Sequence, residues 1–259
     1  MIIITGVPDY FMLLCCGYKV ILKSHLHHKK DYDAKHKGQE LDEMAYEELN
    51  IVRKCIKDVR EMLQNSIEIY SQTIQGVSLE DRKLLKKVNV RVDELNTEAK
   101  KLKQNLTSTL LKFKADSIET GHFYVQVIDY LRELAHSLSF VTGPSLQHID
   151  NNHKGFNKAQ QLELKEINIK VSNLFDKIIK MISDNDFTDI PTIILAQQDL
   201  LESINAARKN QVKRIKSNET GTRNSVLFLG ILNESKNMLL QTINLLKAQR
   251  DFILNNYDE

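Results

Sequence analysis

Two Glu-x-x-His pairs are the part of this sequence best able to bind a metal ion. The first is Glu119-Thr-Gly-His122 and the second is Glu133-Leu-Ala-His136. A carboxylate and an imidazole three residues apart lie on one face of a helix, and di-iron bundles take one such pair from each of two helices. Here both pairs fall on one predicted helix, and their separation of 14 residues corresponds to about 21 Å. We therefore expect that the two pairs do not share a metal cluster within one chain.

Two further histidines, His148 and His153, follow this helix in the sequence. Together with Glu133 and His136 they are the candidate ligands for a metal ion. The alternative is that the polar side of the helix forms a satisfied network with the segment around His148. That polar stripe, in order along the chain, contains His122, Asp129, Arg132, Glu133 and His136.

A second candidate surface is basic. It contains Arg208, Lys209, Lys213, Arg214 and Lys216. Such a face could hold phosphate, a lipid headgroup or an acidic partner. The alternative is a solvated helix end, since cations near a helix C-terminus are favoured by the helix dipole.

Several other chemistries have no sequence signal. The chain has no GxxxxGK or GxGxxG phosphate-binding loop, no GxSxG elbow and no HExxH motif. A formal net charge of +2 gives no basic footprint for nucleic acid. Three cysteines, two of them adjacent, suggest neither a disulfide framework nor a zinc site. We expect a protein that is not an enzyme, needs no cofactor and does not bind nucleic acid.

The elements that must position these residues are long helices. Glycine and proline are sparse, and apolar residues recur at steps of three and four from Gln39 onward. The pattern predicts helix ends at Gly76, near Phe113 and at Thr142, where Gly143-Pro144 follows. The segment Pro144–His153 is predicted as a turn or a short helix. Three more helices follow, so we expect an all-α antiparallel bundle, with two groups of about three helices.

The N-terminus has a different composition. Residues 1–22 include a thirteen-residue apolar run, Tyr10–Leu22, and residues 23–38 are rich in lysine and histidine. A full membrane span needs about 20 apolar residues. An apolar run followed by lysines resembles the cytoplasmic end of a membrane helix. We expect a membrane-helix remnant, a basic linker and then a helical domain over residues 39–259. The alternative is a short buried or interfacial helix with a solvated linker.

One stretch resembles a known family. HFYVQVIDYLRELAHSL begins at His122, and HIDNNHKG begins at His148. Together they resemble the PhoU-like helical domain at the C-terminus of bacterial inorganic phosphate transporters, particularly of the Bacteroidetes type. The resemblance covers roughly residues 79–256. It implies a tandem of three-helix units that acts as a non-catalytic regulatory domain at the cytoplasmic face of the inner membrane.

The same family often carries an E-R-I-G-D-type signature whose acidic residues bind metal clusters. At the matching places this chain reads Arg132-Glu-Leu-Ala-His136 and Glu202-Ser-Ile-Asn-Ala206. The first lacks both matching carboxylates and the second lacks its final one. The resemblance therefore implies a regulatory domain, with a membrane phosphate-transporter domain and further copies of the chain as partners. The alternatives are a metal-binding helical protein and a structural coiled-coil adaptor.

Overall fold

The computed structural model describes residues 46–113 and 117–257, which form seven α-helices and no strand. The helices are α1 at residues 46–78, α2 at Arg82–Gln104, α3 at Leu106–Leu110, α4 at Ile118–Asp150, α5 at Lys158–Asp184, α6 at Ile190–Lys216 and α7 at Thr222–Tyr257. For this part of the chain the prediction of an all-α fold is confirmed.

The described helices belong to one compact unit, which begins at Glu48. The predicted apolar segment 1–22 and basic linker 23–38 lie outside the described residues. Among the residues that the structure describes, no helix is both long enough and apolar enough to cross a membrane.

The helices α1, α2 and α4 form one group. Arg91 of α2 donates a hydrogen bond to Glu68 of α1 at 2.9 Å. Asn96 of α2 donates to the Ser139 hydroxyl of α4, also at 2.9 Å. Because α2 runs antiparallel to both neighbours, α1 and α4 are parallel. Polar side chains at the helix contacts thus fix the register of a core that is otherwise apolar.

The helices α5, α6 and α7 form the second group. Lys170 of α5 pairs with Asp199 of α6 at 2.9 Å, and Gln160 of α5 donates to Asn224 of α7 at 2.8 Å. The helix α7 also crosses to the first group, where the Tyr70 hydroxyl of α1 bonds the Ser235 hydroxyl at 2.7 Å. Among α2 to α7, the most extensive contact between two helices is that of α7 with α4, so the six long helices pack as one bundle.

The predicted end of α1 at Gly76 is wrong, because the helix continues to residue 78. A Cβ atom at position 76 would lie 2.9 Å from the side chain of Leu85, which is fully buried. Gly76 therefore allows α2 to approach α1 closely instead of ending the helix. The cap of α2 is Asp81, whose carboxylate accepts from the Leu84 backbone N–H at 2.9 Å.

The helix α2 ends at Gln104, earlier than the predicted limit near Phe113, and the short helix α3 follows. The carbonyl oxygen of Asn105 accepts hydrogen bonds from the hydroxyls of Ser108 and Thr109. Hydroxyl side chains that bond the preceding turn compete with regular helix and lower its propensity. The apolar periodicity carried no sign of this break.

The predicted stop at Thr142 is also wrong, because α4 continues through Gly143 and Pro144 to Asp150. Pro144 is exposed, so the Phe140 carbonyl that loses its partner can bond water. The buried face continues past the proline with Ser145, His148 and Ile149. Arg82 of α2 then binds the end of the helix, donating to the Ile149 carbonyl at 3.0 Å and pairing with Asp150 at 3.0 Å. Tertiary contacts override the local stop signal.

Substitution Pro144→Ala should therefore stabilise the protein by about 1–3 kcal/mol, because it restores a backbone N–H inside a helix. Urea unfolding followed by circular dichroism measures the change. Pro191→Ala is the matched control, since Pro191 lies in the first turn of α6, where the missing N–H costs nothing. Equal effects of the two substitutions would contradict the continuous helix.

Candidate functional site

A cavity of about 320 Å³ lies where the α4–α5 loop, the α6–α7 turn and the first turn of α7 meet. Most of the residues that line it are polar or charged, and two of the predicted site residues, His148 and His153, are among them. Lys154 and Arg223 contribute positive charge, and Glu219 contributes a negative charge. The cavity therefore combines a concave shape with convergent polar groups, as does the groove between α2 and α4 that Asn96 and His136 line.

Buried amides hold the α4–α5 loop in place. Asn224 donates to the backbone carbonyls of Lys154 at 3.3 Å and Gly155 at 2.8 Å. Its own carbonyl oxygen accepts from Gln160, which also donates to Gln211 at 2.9 Å. These three amide side chains are buried. Because satisfied buried polar networks favour one geometry, the loop is fixed relative to α7.

A capping box fixes the start of α5 beside the cavity. The Asn157 side chain accepts from the Gln160 backbone N–H at 2.9 Å, and the Gln160 side chain accepts from the Asn157 backbone N–H at 3.0 Å. Gln160 thus caps its own helix and binds α6 and α7 at the same time. The cavity wall is built from elements whose positions are each set by several hydrogen bonds.

His148 is the most buried ionisable group at the cavity, with 6% of its surface exposed. Its Nε2 lies 2.9 Å from the Lys154 backbone carbonyl. A carbonyl can only accept, so Nε2 carries the proton and donates it. In the neutral ring, Nδ1 then carries a lone pair, and no described residue donates to it. His148 therefore presents an acceptor that is not used within the described residues.

His153 stacks edge-on against His148, with the ring centroids 5.2 Å apart. Arg223 Nη1 lies 3.3 Å from both ring nitrogens of His153. Desolvation first, and then the charges of Arg223 and His148, hold the pKa of His153 below its ordinary value. A neutral His153 can accept a hydrogen bond from Arg223. Among the described residues, Arg223 has no carboxylate partner.

The same two histidines border a second cavity, of about 450 Å³, between α4 and α7. This one is more apolar and includes Phe140, Pro144 and Val226. Phe140 and Val226 expose 53% and 65% of their surface. The imidazoles thus lie on the boundary between a polar cavity and an apolar groove.

The structure separates the four metal candidates into two pairs. Glu133 and His136 are exposed on the middle of α4, and His136 borders a groove against α2 that includes Asn96 and Lys103. From His136 to His148 is twelve residues of continuous helix, or about 18 Å. Among the described residues, no group of three or more His, Cys, Asp or Glu side chains could hold a metal ion.

The polar stripe faces α2 and solvent, not the segment around His148. Asp129 pairs with Lys103 of α2 at 3.0 Å, and His122 contacts Gln126 at 2.9 Å. Arg132 is exposed and borders the same groove as His136. The predicted network between this stripe and His148 or His153 is therefore wrong, because a continuous α4 carries the stripe away from its own C-terminal turn.

The predicted basic face loses one member. Lys209 and Lys213 are exposed and Arg208 is half-buried. Arg214, however, is 7% exposed and forms a bidentate pair with Glu163 of α5 at 2.7 and 3.1 Å. Its guanidinium also lies 5.3 Å from the ring centre of Phe228. Arg214 is thus a core ion-pair residue rather than part of a binding surface.

The one cysteine among the described residues, Cys55, belongs to the core. It is 4% exposed, and its thiol donates to the Gln249 carbonyl oxygen at 3.6 Å. Burial raises the pKa of this thiol far above its ordinary value. Because the thiolate is the reactive form, Cys55 is placed as a packing group and not as a nucleophile.

The fold and the site define a helical bundle with a polar cavity at one end. Comparison with known proteins gave no matching family model, and no curated protein matches the chain.

Most of the residues that line the cavity were not predicted from the sequence, among them Lys154, Arg223 and Asn224. Lys154 lies in the α4–α5 loop, whereas Arg223 and Asn224 lie in the first turn of α7, about 70 residues away. No local sequence pattern joins positions so far apart. The spacing Asn157-x-x-Gln160 was an available signal, since it marks a helix start. This capping box would have indicated an ordered start of α5, but it could not have shown that Asn224 of α7 binds the α4–α5 loop.

Proposed function

We propose that this chain is a non-catalytic regulatory domain of a bacterial inorganic phosphate transporter. In this proposal it lies at the cytoplasmic face of the inner membrane and binds the membrane domain of the transporter. It forms homo-oligomers there, so that a contact with the membrane domain is repeated around the assembly.

One observation carries the proposal beyond the resemblance of residues 79–256. The six long helices can be divided into one set of α1, α2 and α4 and a second set of α5, α6 and α7, and the most extensive helix–helix contact among α2 to α7, that of α4 with α7, joins the two sets. A tandem of three-helix units is what a PhoU-like domain requires. This agreement concerns architecture, and the assignment to a phosphate transporter comes from the resemblance alone.

The mechanism would be differential packing. A regulatory domain changes transport only if it contacts two states of the transporter with different free energies. A bundle whose helices share an apolar core and several polar contacts is suited to this task, because it moves as a unit and can favour the state that it fits. No chemical step on a substrate is needed.

Phosphate uptake by the organism that encodes the chain tests the proposal. Deletion of the gene should change the apparent phosphate affinity of uptake by about fivefold or more, the usual size of an allosteric coupling. Complementation with the full chain should restore it, and sulfate uptake is the control that should not change.

Unchanged phosphate uptake would overturn the proposal, and elemental analysis of the purified chain would then separate the alternatives. About one metal ion per chain, lost in His136→Ala or His148→Ala, would indicate a metal-binding protein. Folded helical protein without metal would indicate a structural adaptor.

A further inference from the structure

We propose that the acidic turn between α5 and α6 of one copy of this chain binds the basic groove between α2 and α4 of a second copy. The charges of the two surfaces are complementary, and both surfaces are exposed in the single chain. The inference rests on the proposed function only for the expectation of a homo-oligomer, and it goes further by naming the interface. A two-fold axis forms the contact twice, once in each direction.

The charges of the chain are unevenly distributed. The whole chain is nearly neutral, with a formal net charge of +2. The helix α2 nevertheless contains eight lysines or arginines and only three acidic residues. Residues 181–207 contain five acidic residues and no lysine or arginine. Such a distribution favours association between copies, because the positive surface of one copy can face the negative surface of another.

The basic surface is a groove of about 540 Å³. The six residues that line it are Asn96, Lys100, Lys103, Gln104, Arg132 and His136. Each of these side chains carries an N–H donor, and none of the described carboxylates belongs to the lining. Asn96 of α2 donates to the Ala135 carbonyl of α4 at 3.3 Å and to the Ser139 hydroxyl at 2.9 Å. These bonds fix the two walls of the groove relative to each other.

Two cations of the groove have no counterion in the single chain. Lys103 pairs with Asp129 at 3.0 Å, beside the groove. Lys100 and Arg132 are exposed, and within the described part of the chain neither forms an ion pair. They lie on opposite walls, one on α2 and one on α4. The groove is therefore positive across its width, and its missing partner is a group of acidic side chains.

The turn between α5 and α6 carries such a group in a defined conformation. Asp184, Asp186 and Asp189 are all exposed. The Asp186 N–H donates to the Met181 carbonyl at 3.1 Å. The Asp186 carboxylate accepts from the backbone N–H and the hydroxyl of Thr188, at 3.0 and 2.6 Å. Among the described residues, Asp184 and Asp189 have no ion-pair partner. A convex turn thus presents two carboxylates without a counterion.

The turn and the groove of one chain do not cover each other. Among the described helices, α2 makes no extensive contact with α5 or α6. Both surfaces therefore remain open to a second copy. A projecting turn can enter a groove, whereas a flat anionic membrane can reach only its rim, so the shape favours the turn as the occupant.

Sedimentation velocity of the full chain over a range of concentrations tests the interface. We expect an equilibrium between monomer and dimer. Its dissociation constant should increase by about tenfold or more between about 50 mM and about 300 mM salt, because salt screens exposed charges.

Reversal of the charges tests which surfaces meet. The groove variant combines Lys100→Glu with Arg132→Glu, and the turn variant combines Asp184→Lys with Asp189→Lys. Each variant alone should dimerise about a hundredfold more weakly, because like charges then face each other. A mixture of the two variants should dimerise again, because the acidic groove of one variant then faces the basic turn of the other. Circular dichroism confirms that both variants are folded.

The matched control for the groove variant combines Lys209→Glu with Lys213→Glu. These lysines are exposed on α6, so the control changes the net charge by the same amount away from the groove. Its dissociation constant should stay within about twofold of that of the unaltered chain.

Three outcomes would overturn the inference. A monomer at every concentration would leave the groove to an anionic partner other than this chain. A dimer that persists in either reversed variant would place the interface elsewhere. A mixture of the two variants that stays monomeric would show that the two surfaces do not meet. Because sedimentation uses the purified chain, these failures are distinguishable from unchanged phosphate uptake in the cell.

Discussion

Replacement of Phe252 by alanine is expected to lower the free energy of unfolding by about 4 kcal/mol, the middle of the range for a buried aromatic residue. Phe252 is fully buried near the C-terminal end of α7. Its ring lies 5.5 Å from that of Tyr124 on α4 and 6.3 Å from that of Phe113, centroid to centroid. The substitution removes the contacts of the Phe252 ring with the rings of Tyr124 and Phe113. It also leaves a cavity that long, stiff helices cannot close.

Urea unfolding followed at 222 nm measures this loss. Phe140→Ala is the matched control, because Phe140 is the same residue type on α4 but is 53% exposed. Its substitution should change the free energy of unfolding by no more than about 0.5 kcal/mol. If the two variants were destabilised equally, the packing of α7 against α4 at this end of the bundle would be wrong.

The same aromatic cluster predicts the behaviour of Tyr124 at high pH. Burial raises the pKa of Tyr124 to about 12, and Cys55 adds to the rise. Since this pKa exceeds the ordinary tyrosine value of about 10, the stabilising contribution is complete below pH 10 and is lost as the pH rises toward 12. Phe252→Ala opens this environment and should bring the ionisation of Tyr124 back toward its ordinary range.

Much of this fold was predictable because burial in a helical bundle follows the period of the helix. The adjacent apolar pairs of α7 are an example: Ile231 with Leu232, and Leu245 with Leu246, are all buried. A stripe of this width predicts a helix with neighbours on two sides. In the structure α7 contacts both α4 and α6, as the stripe requires.

The wrong predictions of the fold concern the positions at which helices end. From the sequence, Gly76 and Pro144 predict helix ends because each is a poor helix former. In the structure, Gly76 provides room for Leu85, and the turn after Pro144 is kept helical by Ser145, His148 and Ile149 on the buried face. Single-residue propensities of about 1–3 kcal/mol are smaller than the combined burial of several side chains. The helix propensity of each residue can be read from the sequence, but the side chains that pack against that residue cannot.

The candidate site was predictable only in part for the same reason. His148 and His153 were predicted as site residues, and both line the cavity at the start of α7. They were grouped with Glu133 and His136 because the helix was expected to end between the two pairs. A continuous α4 separates the pairs, and the true neighbours of His148 come from the start of α7. Contacts between a loop and a distant helix start produce no periodic pattern of apolar residues in the sequence.

Arg214 shows how a charge pattern conceals a buried residue. From sequence it is one of five cations at the end of α6, and only the fold reveals Glu163 opposite it. The guanidinium donates to Gln211 at 2.9 Å as well as to Glu163. Breaking a buried pair leaves an uncompensated charge, which costs more than the intact pair contributes.

Substitution Arg214→Met should therefore lower the free energy of unfolding by about 3 kcal/mol. Glu163→Gln should act in the same direction, because it leaves the Arg214 charge buried without its carboxylate. Lys213→Ala is the control: Lys213 is the adjacent cation and is exposed, so its loss should change stability by no more than about 0.5 kcal/mol.

The double variant that combines Arg214→Met with Glu163→Gln isolates the interaction between the two side chains. If the single losses come from unpaired charge, the double variant should be more stable than their sum predicts, by about 1.5 kcal/mol or more. Additive losses would mean that Arg214 acts through its packing on Phe228 and its bond to Gln211, and not through Glu163. Because Gln211 also binds Gln160, an additive result would place the stabilising contacts of this end of the bundle in the amide network that forms the cavity wall.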